Sequence, residues 1–74
     1  MKKIAEIKPS RAKNMTVYYD KAAKANPYRV YLEWMEPTPH GLMPRKQQYD
    51  RFADLASAAY VIWQYGLKYN EEGR

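Results

Sequence analysis

Apolar and polar residues alternate along three stretches of the chain, and a fourth stretch abandons alternation for a helical period. In "NMTVYYD", Met15, Val17 and Tyr19 share one side and Thr16, Tyr18 and Asp20 the other. That period of two, carried by β-branched and aromatic residues, predicts a strand. "YRVYLEWME" repeats the pattern more strongly: Tyr28, Val30, Leu32 and Trp34 form a core side, and Arg29, Tyr31, Glu33 and Met35 a mixed outer side. "RKQQYDRF" is extended and polar, as an edge strand should be, with Phe52 anchoring its end. Strict alternation there places Arg45, Gln47, Tyr49 and Arg51 together on one side.

Breakers separate these runs. "KAAKANP" ends in an Asn-Pro turn signal and joins two antiparallel strands. "PTPHGLMP" holds three prolines and a glycine, a density that predicts a protruding loop with no regular element. Residues 8–14 read as a basic arm or loop, while Ile4 and Ile7 are free to add a short strand before it.

Residues 54–67, "DLASAAYVIWQYGL", change period. Asp54 is a good N-cap and three alanines favour helix. The helix continues through "LKYNEEG", with Asn70 or Gly73 as a stop. At about 100° per residue, Leu55, Ala58, Ala59, Ile62, Gly66 and Tyr69 form a stripe expected to face Val17, Val30, Leu32, Trp34 and Phe52. The predicted fold is α+β: a single small domain over residues 1–74, with a three-stranded antiparallel sheet, or four strands if residues 1–14 contribute one, and one C-terminal helix packed on one face.

The helix carries more apolar surface than one sheet needs. Ala56, Tyr60, Trp63 and Leu67 line one flank and Val61 and Tyr65 the other, leaving only Ser57, Gln64 and Lys68 polar. A surface helix normally has an apolar arc of just over ~100°. Three covers are available: the N-terminal segment folding back with Ile4 and Ile7 on Tyr60 or Trp63, a second copy forming a homodimer, or another protein. Tyr60, Trp63 and Leu67 are therefore the expected protein interface.

Length and composition sharpen this picture. A chain of 74 residues buries only roughly 60% of its unfolded surface, so eight Tyr, two Trp and one Phe must supply much of the core. Absence of cysteine excludes disulfides and thiolate metal sites, and His40 stands alone. No metal or other cofactor is expected. The start has no apolar run after its lysines, and no segment reaches the ~20 apolar residues of a membrane span, so a cytoplasmic protein without membrane contact is expected.

The net charge of +5 is uneven: residues 1–29 carry +6 and residues 30–74 carry −1. A basic front attracts phosphates or an acidic surface. No catalytic constellation accompanies it. The three glycines are scattered, Ser10 and Ser57 lack a His–Asp arrangement, and Glu33 and Glu36 fall on opposite sides of a strand. The expected function is instead a non-enzymatic, nucleic-acid-binding accessory role. Tyr18, Arg29, Tyr31, Arg45, Gln47, Tyr49 and Arg51 would form the sheet face, and Lys8, Arg11 and Lys13 a basic arm. Cations engage phosphates, Arg and Gln reach base edges, and tyrosines stack.

The order strand–strand–strand–helix, with Phe52, Asp54 and Ala58 as "Phe-x-Asp-x-x-x-Ala" at the helix start, resembles the three-stranded DNA-binding modules of integrase arm domains and plant AP2 domains. The resemblance covers residues 15–66 and rests on element order and that motif, which is short of a family assignment. It implies a sheet laid into a DNA groove. The Pro-rich loop and Glu33 depart from it. The alternative is a protein-binding inhibitor or adaptor, such as a phage or mobile-element anti-defence protein, that docks on a larger complex through the aromatic helix flank.

Overall fold

The computed structural model describes residues 1–9 and 12–69. Its elements are β1 (Lys2–Ile7), β2 (Asn14–Tyr19), β3 (Tyr28–Thr38), β4 (Gly41–Phe52) and α1 (Leu55–Tyr69). The strands form one antiparallel meander in the order β1-β2-β3-β4, and α1 crosses one face of it. This is the α+β architecture read from the sequence, with the N-terminal residues supplying the fourth strand. A helix stop at Asn70 or Gly73 lies outside the described residues.

The core is small. Met15, Val17, Val30, Ala58 and Ile62 are buried, and Ala5, Ile7, Tyr28, Leu32, Phe52, Val61 and Tyr65 pack around them. Register explains the set: Ile7 pairs with Met15, Ala5 and Val30 each pair with Val17, and Tyr28 pairs with Phe52, so all stand on the helix side. Asp54 starts α1 by accepting hydrogen bonds from the Ser57 amide (2.9 Å) and the Ser57 hydroxyl (3.0 Å). That side-chain cap satisfies a backbone donor with no partner inside the helix. Gly66 lies against β1, where an added Cβ would overlap Ile7 Cδ1. A glycine within a helix costs about 1 kcal/mol against alanine, and here it permits the close approach.

The helix is turned relative to the expected stripe. Ala58, Ile62 and Gly66 are buried as anticipated, but Leu55 and Ala59 are exposed, while Val61 and Tyr65 meet the sheet. Val61 and Tyr65 lie on the flank that shares a cleft with Leu32 of β3 and Tyr49 of β4. Trp34 also leaves the expected core: it lies near the protruding end of β3, and the Lys13 ammonium covers its ring at 3.8 Å.

"PTPHGLMP" is not an irregular loop. The β3–β4 ladder runs unbroken through Met35–Pro44, Glu36–Met43 and Pro37–Leu42 to Thr38–Gly41. The prolines are tolerated because β4 is an edge strand and β3 outruns β2 beyond Glu33, so their missing N–H groups face away from any partner strand. Gly41, at φ +109, supplies the left-handed residue of the tight turn. The Thr38 hydroxyl closes it by donating to the Gly41 carbonyl at 2.7 Å. The β2–β3 connection is held by the Asp20 carboxylate, which accepts from the Ala22 amide at 3.0 Å, and by the Asp20 amide, which donates to the Pro27 carbonyl at 2.8 Å.

Candidate nucleic-acid interface

The sheet face opposite α1 is built by register. Thr16 pairs with Tyr31, Tyr18 with Arg29 and Asn14 with Glu33 across β2 and β3. Across β3 and β4, Arg29 pairs with Arg51, Tyr31 with Gln48 and Glu33 with Lys46. Lys3 and Glu6 extend this face onto β1 opposite Tyr18 and Thr16.

One irregularity decides which β4 side chains belong. The register shifts between Val30 and Tyr31: Val30 pairs with Asp50 and Tyr31 with Gln48, which leaves Tyr49 without a register partner. This β-bulge inverts the side-chain alternation on its two sides. Arg51 is on the open face as expected, together with Tyr18, Arg29 and Tyr31. Arg45 and Gln47 pair with Trp34 and Leu32 and stand on the helix side. Tyr49 joins them, lining a cleft with Leu32, Tyr60 and Tyr65. Lys46 and Gln48 take their places on the open face. No pattern in the sequence marks the inversion. Tyr49 and Phe52 both stand on the helix side, yet their spacing of three cannot put them on one side of a regular strand.

The centre of the open face is polar and closed. Glu33 accepts hydrogen bonds from the Thr16 hydroxyl at 2.7 Å and the Tyr18 hydroxyl at 2.6 Å. Burial pushes its carboxyl up, but the bonds from Tyr18 and Thr16, with Lys46 and Lys3 nearby, outweigh that and hold it below the ordinary 4.5. The same hydrogen bond, with burial and the Glu33 charge, pushes the Tyr18 hydroxyl up to about 12. The Lys46 ammonium sits 4.1 Å from the Tyr18 ring centre and 4.6 Å from that of Tyr31. The two rings meet edge to face at 5.5 Å. Cation, aromatic pair and carboxylate therefore hold one another in place.

Beyond this cluster the face is cationic. Arg29 and Arg51 are direct cross-strand neighbours. Arg29 Nε lies 3.3 Å from Asp20 Oδ2, an ion-pair distance, but it is shielded from solvent without an aligned hydrogen bond. Both arginines border a cleft of about 270 Å³ with Lys24 and Asn26 of the β2–β3 connection. Lys24 was not among the residues expected from sequence. Of the expected basic arm, Lys8 approaches Glu6 at 4.0 Å, Lys13 is held over Trp34, and Arg11 lies outside the described residues. Arg45 is paired with Glu36 at 3.4 Å.

The expected protein interface is bare. Tyr60, Trp63 and Leu67 are 60%, 54% and 47% exposed. The Tyr60 and Trp63 rings lie 6.0 Å apart. The N-terminal segment does not fold over them, because β1 spends Ile7 on Gly66 and Met15 inside the sheet–helix layer. On the opposite flank, Tyr65 is buried enough to push its hydroxyl above the ordinary value, with Tyr69 and Tyr49 adding to the effect.

Among the described residues, no group of three His, Cys, Asp or Glu is placed to hold a metal ion, and no helix is long and apolar enough to cross a membrane. No protein-family model matches the chain, nor does any curated protein or solved structure.

Proposed function

We propose that the chain is a small, non-enzymatic, cytoplasmic accessory protein that binds nucleic acid through the open face of its sheet. The observation that carries this reading is the placement of Arg29 directly opposite Arg51, two same-face steps along the ladder from Lys46, whose ammonium lies over Tyr18 and Tyr31. Like charges facing each other across strands are destabilising; Asp20, 3.3 Å from Arg29 Nε, offsets part of that repulsion, and an anionic backbone laid along the face offsets the rest. The guanidinium forks suit phosphate oxygens, and Gln48 is placed to meet base edges beside them. The repulsion between Glu33 and an anionic ligand is offset by the nearby Lys46 and Lys3, while Thr16 and Tyr18 hold the carboxylate by hydrogen bonds. The protruding β3–β4 ribbon is of the kind that a major groove admits.

The binding set under this proposal is Tyr18, Arg29, Tyr31, Lys46, Gln48 and Arg51, with Lys24 at its edge. Arg45, Gln47 and Tyr49 stand on the other face and drop out. Fluorescence anisotropy with short labelled DNA and RNA duplexes tests it across a salt series. Replacing Arg29 and Arg51 together with alanine should weaken binding and flatten the salt slope by about two units, whereas Arg45→Ala should leave the slope unchanged. Equal losses for both variants would overturn the assignment of the face. No retention of either duplex at low salt would end the nucleic-acid reading. That outcome would favour the protein-docking reading, which rests on the exposure of Tyr60, Trp63 and Leu67.

A further inference from the structure

The bare surface of α1 points away from the sheet. At about 100° per residue, the arc of Ala56, Tyr60, Trp63 and Leu67 is centred roughly 130° from the buried line of Ala58, Ile62 and Gly66. It is the outer side of the helix, not a seam at its edge. We infer that a second copy of this chain covers it, helix against helix and antiparallel about a twofold axis.

Three observations favour a second copy over a different protein. Between Leu55 and Leu67 the helix carries no charged residue, although the chain as a whole has a net charge of +5. Two copies repel least where they meet through this face, and a foreign partner finds no charge there by which to be selected. The spacing is also self-complementary. A twofold axis passing between Val61 and Ile62 sets Tyr60 of each copy opposite Trp63 of the other, and Ala56 opposite Leu67, so small residues face large ones. The area is sufficient as well. From the exposure of Tyr60, Trp63 and Leu67, with Ala56 among them, each copy offers ~400 Å² of largely apolar surface. With the rim of Ala59 and Gln64, two copies bury about 1,000 Å², the lower bound of a specific interface.

Such a dimer has a layered order of sheet, helix, helix, sheet. Its two open faces look in opposite directions. They cannot read neighbouring half-sites along one duplex, as side-by-side dimers do. Resting on the nucleic-acid reading above, this geometry makes the dimer a bridge between two separate nucleic-acid segments.

Sedimentation equilibrium without nucleic acid tests the dimer by itself. Over about 5 to 500 µM, the range suited to an interface of this size, the mass should rise from 8.8 kDa toward twice that value. The rise should persist when salt is increased, since apolar burial drives it. Trp63→Glu should stay at 8.8 kDa with an unchanged circular dichroism spectrum; should it fail to fold, Leu67→Lys serves in its place. A wild-type mass fixed at 8.8 kDa throughout, or a folded Trp63→Glu chain that doubles as readily as wild type, overturns the dimer. Bridging is then read as energy transfer between separately labelled duplexes. Transfer with wild type but not with Trp63→Glu supports the bridge. Doubling without duplex binding leaves the dimer standing and removes the nucleic-acid reading, whereas duplex binding by a strict monomer does the reverse.

Discussion

Met15 and Val17 point to one side of the sheet and Thr16, between them, to the other, yet all three are wholly excluded from solvent. The first two disappear beneath a helix. Thr16 disappears beneath side chains of its own sheet: Glu33, which accepts a hydrogen bond from its hydroxyl, and the Tyr18 and Lys46 groups around that carboxylate. One face is closed by apolar burial, which is insensitive to pH and direction. The other is closed by a charged, directional cluster, which depends on both. Equal burial therefore conceals different sources of stability, and the two faces should fail under different perturbations.

The largest effect belongs to the apolar side. Met15→Ala should cost about 2–5 kcal/mol in urea unfolding, enough to endanger a chain with so small a core. Enlarging Gly66 strikes the same layer from the helix. Gly66→Leu must displace Ile7, and an overpacking loss of about 1–3 kcal/mol should appear, with β1 amides exchanging first in hydrogen-exchange measurements. On the polar side, Glu33→Ala removes the shared acceptor of Thr16 and Tyr18 and should cost about 1–3 kcal/mol. A loss as large as that of Met15→Ala would mean that the two faces are equally important to folding.

Titration separates the faces further. Glu33 is depressed in the folded state, so its contribution is complete above pH 4.5 and is lost as pH falls below that value through the folded one. Tyr18 is raised, so its contribution is complete below pH 10.0 and is lost as pH climbs toward about 12. Stability should therefore sag at both extremes, and Glu33→Gln should flatten the acid limb. The same variant should bring the Tyr18 hydroxyl back toward 10, visible in ultraviolet titration of phenolate. An unchanged late-titrating tyrosine in Glu33→Gln would show that Glu33 is not the cause. The smallest expected effect is at the helix start, where Asp54→Ala should cost about 1 kcal/mol by removing both bonds to Ser57.

Much of this was legible in the residues. Alternation marked β2 and β3 with the correct inward sides, Asp54 marked the start of α1, and the surplus of apolar positions marked Tyr60, Trp63 and Leu67 as residues the sheet does not cover. Those features are local: a period, a cap and a count need only neighbouring residues. The hairpin tip was misjudged because proline density speaks of an average strand, whereas an edge strand and the overhang of a longer neighbour leave proline nothing to break.

Which β4 residues share a face with Arg29 and Tyr31 was decided only by tertiary structure. Phe52 is drawn into the core beside Tyr28, while Tyr49, 53% exposed, edges the cleft beside Tyr65, and a regular strand cannot place both on the helix side. The bulge at Tyr49 reconciles them and, as a consequence, exchanges Arg45 and Gln47 for Lys46 and Gln48 on the open face. The pattern of residues determined the elements, because pattern is local. The seating of Phe52 beside Tyr28 in the core fixed the register at that end of β4, because register is settled by what the strands must bury together.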